Sequence, residues 1–353
     1  MITFEGTTAD AVWRQAVDRL RRVEAVQESR DQATREILHA AFTIADPRQR
    51  VVFGRPINPA FAVAEVIWIL SGANDVDFLR FWNPRMVRFT DDDATVFHGA
   101  YGYRLGSRPR LRARAAQRLR HPRSQTDEQR EDQLRQAYEV LHHTPHSRQV
   151  VLQIWDHALD LPNPEPRSRD VPCNVVSHLL LRDGRLEWLQ VMRSNDLIWG
   201  TPYNFIQWTT LQEIVAGWLG ADVGTYNHVS DSLHVYERHW QELGAIATGD
   251  VEETPHNTAD LRVGPYERWE AIWVPLVDIA LGLTERGAAS DLLALQRDAA
   301  ELPLAYQQWV ALLTAEALRR RGYGVEAEET IEGAGPFWGA SWRQWAQSVA
   351  PAR

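Results

Sequence analysis

Apolar residues recur three and four positions apart over 9–25 and again over 29–42, the spacing of helices with one buried face. Residues 60–71 (AFAVAEVIWILS) are apolar almost throughout and read as a buried helix carrying one acid, Glu65. Thr126 and Gln129 form a capping box that predicts a helix over 127–142. From residue 149 the period changes. QVVLQIW, VVSHLLL and RLEWLQVMRS read as strands, and Arg182-Asp183-Gly184-Arg185 joins the last two as a hairpin. Alternation places Leu186, Trp188, Gln190 and Met192 on one face. Residues 203–219 (YNFIQWTTLQEIVAGWL) read as a long, mostly buried helix with Gly220 as its C-cap. Residues 223–236 look extended, and the pattern is helical again over 266–321. Strands interleaved with helices predict an α+β fold of α/β type.

Composition narrows the function classes. The chain has 353 residues, 44% hydrophobic and 24% charged, the balance of an ordinary globular protein with a sizeable core. A net charge of −9 supplies no global basic field, so nucleic acid is not an expected partner. Small anionic substrates need only a local cluster of arginines. No uninterrupted apolar stretch reaches the roughly 18 residues of a membrane span, and the N-terminal stretch lacks the features of a secretion signal. A single cysteine cannot form an internal disulfide, which fits a reducing, cytoplasmic setting. The fifteen tryptophans read as core and interface packing.

The candidate chemistry centres on that cysteine. Cys173 sits between two predicted strands and follows Pro172. A lone cysteine is more often an inert buried residue than a nucleophile. Arg193, on the partner strand of the same hairpin, offers the positive charge a thiolate needs. An arginine in an apolar strand also asks for an anion, either a substrate phosphate or a structural carboxylate. Glu65 is either paired structurally or a proton shuttle at a raised pKa. Asp196 and Asn204 flank Gly200 and Pro202, where turn-forming and helix N-capping are the simpler roles. The Asn204 amide also offers a donor and an acceptor suited to the edge of a uracil ring. His234 and Tyr236 alternate with Val235 on a strand end. Without cysteine pairs or an HExxH sequence, no metal site is expected.

Taken in order, these motifs resemble the thymidylate synthases and their relatives, the pyrimidine nucleotide hydroxymethylases. They are Pro172-Cys173, Arg193-Ser194-x-Asp196, Gly200-x-Pro202-Tyr203-Asn204 and His234-x-Tyr236. Upstream, AEVIWILSG (64–72) resembles the helix bearing the family's catalytic glutamate. Tyr101-Gly102, Asp132-Gln133-Leu134 and Ser147-Arg148 resemble its YG element, its DQ-containing helix and its phosphate-binding arginine segment. The resemblance implies a single domain over 1–353, with a mixed β-sheet flanked by helices and a sheet-mediated homodimer. Within it, 104–146 is an arginine-rich loop plus helix, and 260–353 a divergent helical C-terminal region. It implies a pyrimidine nucleotide monophosphate as substrate and 5,10-methylenetetrahydrofolate as co-substrate. Cys173 would attack carbon 6 of the base, splitting one hard substitution into easier steps. Arg193 would hold the phosphate and favour the thiolate, assisted by Ser194 and by Arg148 from the partner subunit. Glu65 and Tyr101 would handle protons, and Asn204 would read the base. Asp196, with Gly200, would meet the folate. His234 and Tyr236 would bind the sugar hydroxyl.

The departures bear on the last step. Residues 87–93 (VRFTDDD) lack the tryptophan pair the synthases carry there. Asn174 stands where they usually have histidine, Gln149 where they have a second phosphate arginine, and Tyr103-Arg104-Leu105-Gly106 where they have a Trp-Arg ending. Asp231 is not carried over, because 230–236 is one residue longer than the family pattern. The chain ends in Ala350-Pro351-Ala352-Arg353, unlike the apolar synthase tail. These parts shield the intermediate from water, so their loss points to a hydroxymethylase, with a methylating synthase and a non-catalytic nucleotide-binding homologue as alternatives. Asn204 suits uracil, while an amide can also turn to meet cytosine, so CMP, dCMP and dUMP all remain open. Residues 104–123 hold eight arginines. A solvated surface explains them more simply than a dock for a polyanion such as a folate polyglutamate tail.

Overall fold

The computed structural model describes residues 1–29, 32–91, 95–106, 131–161, 169–248 and 258–349. The capping box at Thr126 and Gln129, the arginines from Arg108 to Arg123 and the tail Ala350–Arg353 lie outside these residues.

One mixed sheet organises the chain. Its strands are β1 (Ile2–Gly6), β2 (Gln27–Ser29), β3 (Gln32–Ile44), β4 (Val151–Gln153), β5 (Asn174–Arg182), β6 (Arg185–Met192), β7 (Asn195–Asp196) and β8 (Asp222–Tyr236). The order is β1-β3-β8-β6-β5-β4, with β2 paired to β3 and β7 to β8. The β1–β3 and β8–β6 pairs are parallel, and the β3–β8, β6–β5 and β5–β4 pairs antiparallel. The predicted hairpin is present. Asp183 (φ 49°) and Gly184 (φ 73°) occupy the left-handed region that a two-residue turn between twisted strands requires.

Helix α1 (Ala9–Arg21) lies on β1 and β3, and α2 (Pro59–Leu70) is the predicted apolar helix. Two short helices follow, α3 (Val76–Trp82) and α4 (Tyr101–Arg104). Next come α5 (Gln133–His143), α6 (His157–Asp160), α7 (Gly200–Leu219) and α8 (Trp240–Ala245). The helical stretch expected over 266–321 divides into α9 (Tyr266–Glu285), α10 (Ala289–Asp298) and α11 (Leu304–Arg320). Helices α12 (Gly324–Ile331) and α13 (Gly335–Val349) follow. Helix α7 is the centre of the protein. It packs on β6 and β8 with one side and on α2 with the other, while α11 and α13 cover α2 from behind. Among the described residues no helix is long and apolar enough to cross a membrane.

Two expectations are corrected. The stretch 29–42, expected as a helix, is the β2–β3 strand pair. Its buried residues are Thr34, Ile37, Ala40 and Phe42. The three-residue steps imitate a helical face. The step from Ile37 to Ala40 spans His39, which the ladder to β8 skips; it has φ 55°, and its ring bonds Asp231 on the facing strand at 2.5 Å. On either side of that kink the inward-facing parity changes. Asn204, expected to open the long helix, lies a turn inside it, because α7 begins at Gly200. Pro202 does not prevent that start, since a first-turn residue has no intrahelical partner for the missing N–H.

Glycine is required where α4 meets α2. A Cβ on Gly102 would stand 1.9 Å from the Ile69 carbonyl oxygen. Gly102→Ala is therefore expected to lower stability by about 1–3 kcal/mol in urea unfolding. Gly244→Ala, where a Cβ would meet nothing within 4 Å, should stay within about 0.5 kcal/mol of the unaltered protein.

Candidate active site

Helix α2 is apolar on every side, and Glu65 is its only residue that is not fully buried. Burial pushes its carboxyl up to about 7, opposed in part by a side-chain hydrogen bond from Gln207 on α7. Glu65 Oε2 and Gln207 Oε1 are both sealed from solvent without a partner among the described residues. A carboxyl poised near neutrality suits proton transfer in both directions.

Tyr101 opens α4, its ring 6.0 Å from that of Trp208 on α7. Its hydroxyl is held far above its ordinary range, first by burial and then by the negative charges of Cys173 and Glu65. A hydrogen bond from Asn174 and the charge of Arg193 pull the other way. The four predicted catalytic groups Glu65, Tyr101, Cys173 and Arg193 therefore share one electrostatic neighbourhood. Asp170 pins the segment before Tyr101 to the cysteine loop by accepting the His98 and Gly99 backbone N–H groups. A Cβ on Gly99 would reach within 2.9 Å of the Pro172 nitrogen.

Cys173 is half-buried at the entry to β5. Arg193, just past the end of β6, closes the ladder there by donating its backbone N–H to the Cys173 carbonyl at 3.0 Å. Its guanidinium donates to the carbonyls of Pro172 (3.0 Å) and Val171 (3.2 Å) and lies 5.3 Å from the Trp155 ring centre. Those acceptors are neutral. Among the described residues no carboxylate forms an ion pair with Arg193, so its charge is available to a thiolate or a phosphate.

The Arg193-Ser194-Asn195-Asp196 segment leads from β6 into β7, which pairs with β8 and sets Asp196 opposite His234. Asp196 Oδ1 accepts the backbone N–H groups of Ile198 (2.8 Å) and Trp199 (3.1 Å), shaping the turn into α7. The turn-forming role weighed for Asp196 is thus present, and its Oδ2 makes no hydrogen bond among the described residues. Gly200 starts α7, and Asn204 Nδ2 donates to Asn195 Oδ1 at 3.0 Å. The His234 and Tyr236 rings meet edge to face at 5.0 Å on β8. Ser194 is half-buried beside Arg193. Arg148 is not brought to this group. It is exposed next to edge strand β4, its carbonyl 3.2 Å from His178 Nε2. Gln133 of the Asp132-Gln133 motif is a brace, donating to the Arg104 and Gln153 carbonyls at 3.2 and 3.0 Å.

Sequence reasoning missed Gln207, Asn195 and Trp155. Gln207 was within reach, because it lies three residues after Asn204 and so shares its helix face. Asn195 filled the variable position of its motif and carried no signal. Trp155 reaches the site only through the β4–β5 pairing. Among the described residues, no group of three or more His, Cys, Asp or Glu side chains is placed to hold a metal ion.

With this geometry in hand, comparison with known proteins is informative. The thymidylate synthase family model matches residues 14–274. A deoxyuridylate hydroxymethyltransferase of Bacillus phage SP01 is 36% identical over 256 residues, covering 72% of this chain and 63% of that protein. One from Pseudomonas phage M6 is 34% identical over 205 residues, covering 57% and 52%. A thymidylate synthase of Bacillus licheniformis is 28% identical over 199 residues, covering 55% and 63%. The chain therefore spans less than two thirds of the length of these relatives.

Glu65 should leave a mark on stability. Its native pKa of about 7 lies above the ordinary 4.5, so folding favours the protonated form. That contribution is complete below pH 4.5 and is lost as pH rises through 7. Between those limits the unaltered protein is expected to lose up to about 3 kcal/mol relative to Glu65→Gln. Urea titrations at stepped pH would show the two curves converging toward low pH, and parallel curves would contradict the assignment.

Proposed function

The chain belongs to the thymidylate synthase family, and from that membership we propose that it is a hydroxymethylase acting on dUMP. Methylenetetrahydrofolate supplies the one-carbon unit, and water completes the product. The Cys173 thiolate adds to carbon 6 of the base and makes carbon 5 nucleophilic. Arg193 holds the phosphate beside the thiolate, supported by Ser194. Asn204 meets the edge of the base. His234 and Tyr236 meet the sugar. Asp196 fits the folate, since one carboxylate oxygen shapes the turn and the other is uncommitted. Glu65 and Tyr101 move the protons at carbon 5 and at the added oxygen.

The observation that carries the choice of water is the stretch 87–93 (VRFTDDD), which lacks the tryptophan pair that the synthases carry there. The names of the two phage relatives favour the same outcome and the deoxyuridylate substrate.

We also propose a homodimer through the sheet face turned away from α7. That face carries Leu189, Val191 and Val229, each half-buried in the single chain. Arg148, exposed at the edge of this sheet, would then serve the partner's phosphate site.

Mass spectrometry of the products from UMP, dUMP, CMP and dCMP with methylenetetrahydrofolate is expected to find 5-hydroxymethyl-dUMP and tetrahydrofolate. A methyl product with stoichiometric dihydrofolate would overturn the reading. Cys173→Ala should lower turnover by on the order of 10³-fold or more. Mixing and reassociating inactive Cys173→Ala and Arg148→Ala subunits should restore activity, because each heterodimer holds one unaltered site. Continued inactivity of verified heterodimers would refute the role given to Arg148.

A further inference from the structure

The Asn204 amide is the outer end of a buried chain of side-chain hydrogen bonds. Its Nδ2 donates to Asn195 Oδ1 at 3.0 Å. Asn195 Nδ2 donates to Ser230 Oγ at 3.1 Å and lies 3.0 Å from His228 Nε2. His228 Nε2 is also 3.1 Å from Ser230 Oγ, and His228 Nδ1 is 2.8 Å from the Tyr226 hydroxyl. Asn195 is 2% exposed, and His228, Ser230 and Tyr226 are fully buried. Burial holds the His228 pKa down at about 3, so the ring is neutral and has one donor and one acceptor nitrogen.

That limit leaves the chain two self-consistent arrangements. In the first, the Tyr226 hydroxyl donates to His228 Nδ1 and the His228 Nε2–H donates to Ser230. Ser230 Oγ accepts from Asn195, Asn195 Oδ1 accepts from Asn204, and Asn204 keeps its carbonyl and one N–H free. In the second, Ser230 donates to Asn195 Oδ1, both amides are turned by 180° and Asn204 presents the opposite order. An isolated asparagine amide turns over freely, whereas this one turns only if a second buried amide and the Ser230 hydroxyl turn with it. Gly200 makes the close amide pair possible, because a Cβ there would stand 2.9 Å from Asn195 Oδ1 and 3.5 Å from Asn204 Nδ2.

The order matters because the two bases offer opposite edges. Uracil presents a donor at N3 and an acceptor at O4. Cytosine presents an acceptor at N3 and a donor at N4. We propose that Asn195, His228 and Ser230 are positioning residues that fix the Asn204 amide with its carbonyl toward the base, and so set a preference for uracil over cytosine nucleotides. This rests on the reading of Asn204 as the base-contacting residue.

Equilibrium binding of dUMP, dCMP and deoxyribose 5-phosphate to the folded protein tests it without turnover or folate. The unaltered protein should prefer dUMP. Asn195→Ala should cut the ratio of dUMP to dCMP affinity by about tenfold or more, and the milder Ser230→Ala should cut it by less. Affinity for deoxyribose 5-phosphate, which has no base, should not change in either variant. Equal losses for dUMP and dCMP, or an unchanged ratio in variants with normal unfolding curves, would show a merely structural role and overturn the proposal. An unaltered protein that prefers dCMP would overturn the uracil assignment. Failure to bind either nucleotide would overturn both this proposal and the function above.

Discussion

Helix α7 is buried along nearly its whole length, and it is not purely apolar. Asn204, Gln207, Thr209, Thr210, Gln212 and Glu213 all lie on it with little or no exposure. A buried polar group without a partner costs about 1–3 kcal/mol; Thr209 donates to the Phe205 carbonyl of its own helix, and the others bond neighbouring elements. Glu213 is met by Arg50, by Arg48 at 3.3 Å and by the Leu261 backbone N–H at 3.1 Å. Arg50 also donates to the Thr210 hydroxyl at 2.7 Å. Gln212 Nε2 donates to the Leu186 carbonyl of β6 at 2.8 Å. These contacts tie the central helix to the loop after β3, to the sheet and to the entry of the C-terminal helices. At the other end of α7 the same requirement is met within the site, where Asn204 bonds Asn195 and Gln207 bonds Glu65.

The chemistry of Glu65 follows from that packing. Helix α2 is enclosed by α7 in front and by α11 and α13 behind. Most of this rear cover lies beyond residue 274, where the family match ends. The divergent C-terminal helices thus help create the apolar surroundings that raise the pKa of the Glu65 carboxyl. Nearby, Arg193, which has no ion-pair partner among the described residues, leaves a positive charge beside the thiol and the tyrosine. The two effects are complementary. One group is kept largely neutral in a dry setting, and the other keeps its charge because backbone carbonyls solvate it.

Much of this was legible in the chain. Spacing between Pro172 and Tyr236 picked out the cysteine, the arginine, the asparagine proposed to read the base and the histidine–tyrosine pair. The apolar run with a single acid located Glu65 on its helix. The hairpin turn and the alternating face of β6 followed from local chemistry alone. The stretch 29–42 was not legible, because its buried residues step by three, as a helix face does, before and across the kink at His39. The place of Asn204 inside the long helix was not legible either, because the apolar pattern of that helix starts at Tyr203 while the helix itself starts at Gly200. Asn195 and His228 carried no recognisable pattern, since their roles depend on contact between β7, β8 and α7.

By itself, then, the sequence determined which residues could do the chemistry and in what order they occur. Those properties are carried by residue type and by short-range periodicity, and both can be read along a line. Only the tertiary structure decided the state of each group. Whether a carboxyl is neutral, an arginine unpaired or an amide fixed in one orientation depends on what other segments exclude water from it and what they offer in exchange. Those segments lie tens to hundreds of residues away, from Trp155 to Trp342, and no local pattern records that they will meet.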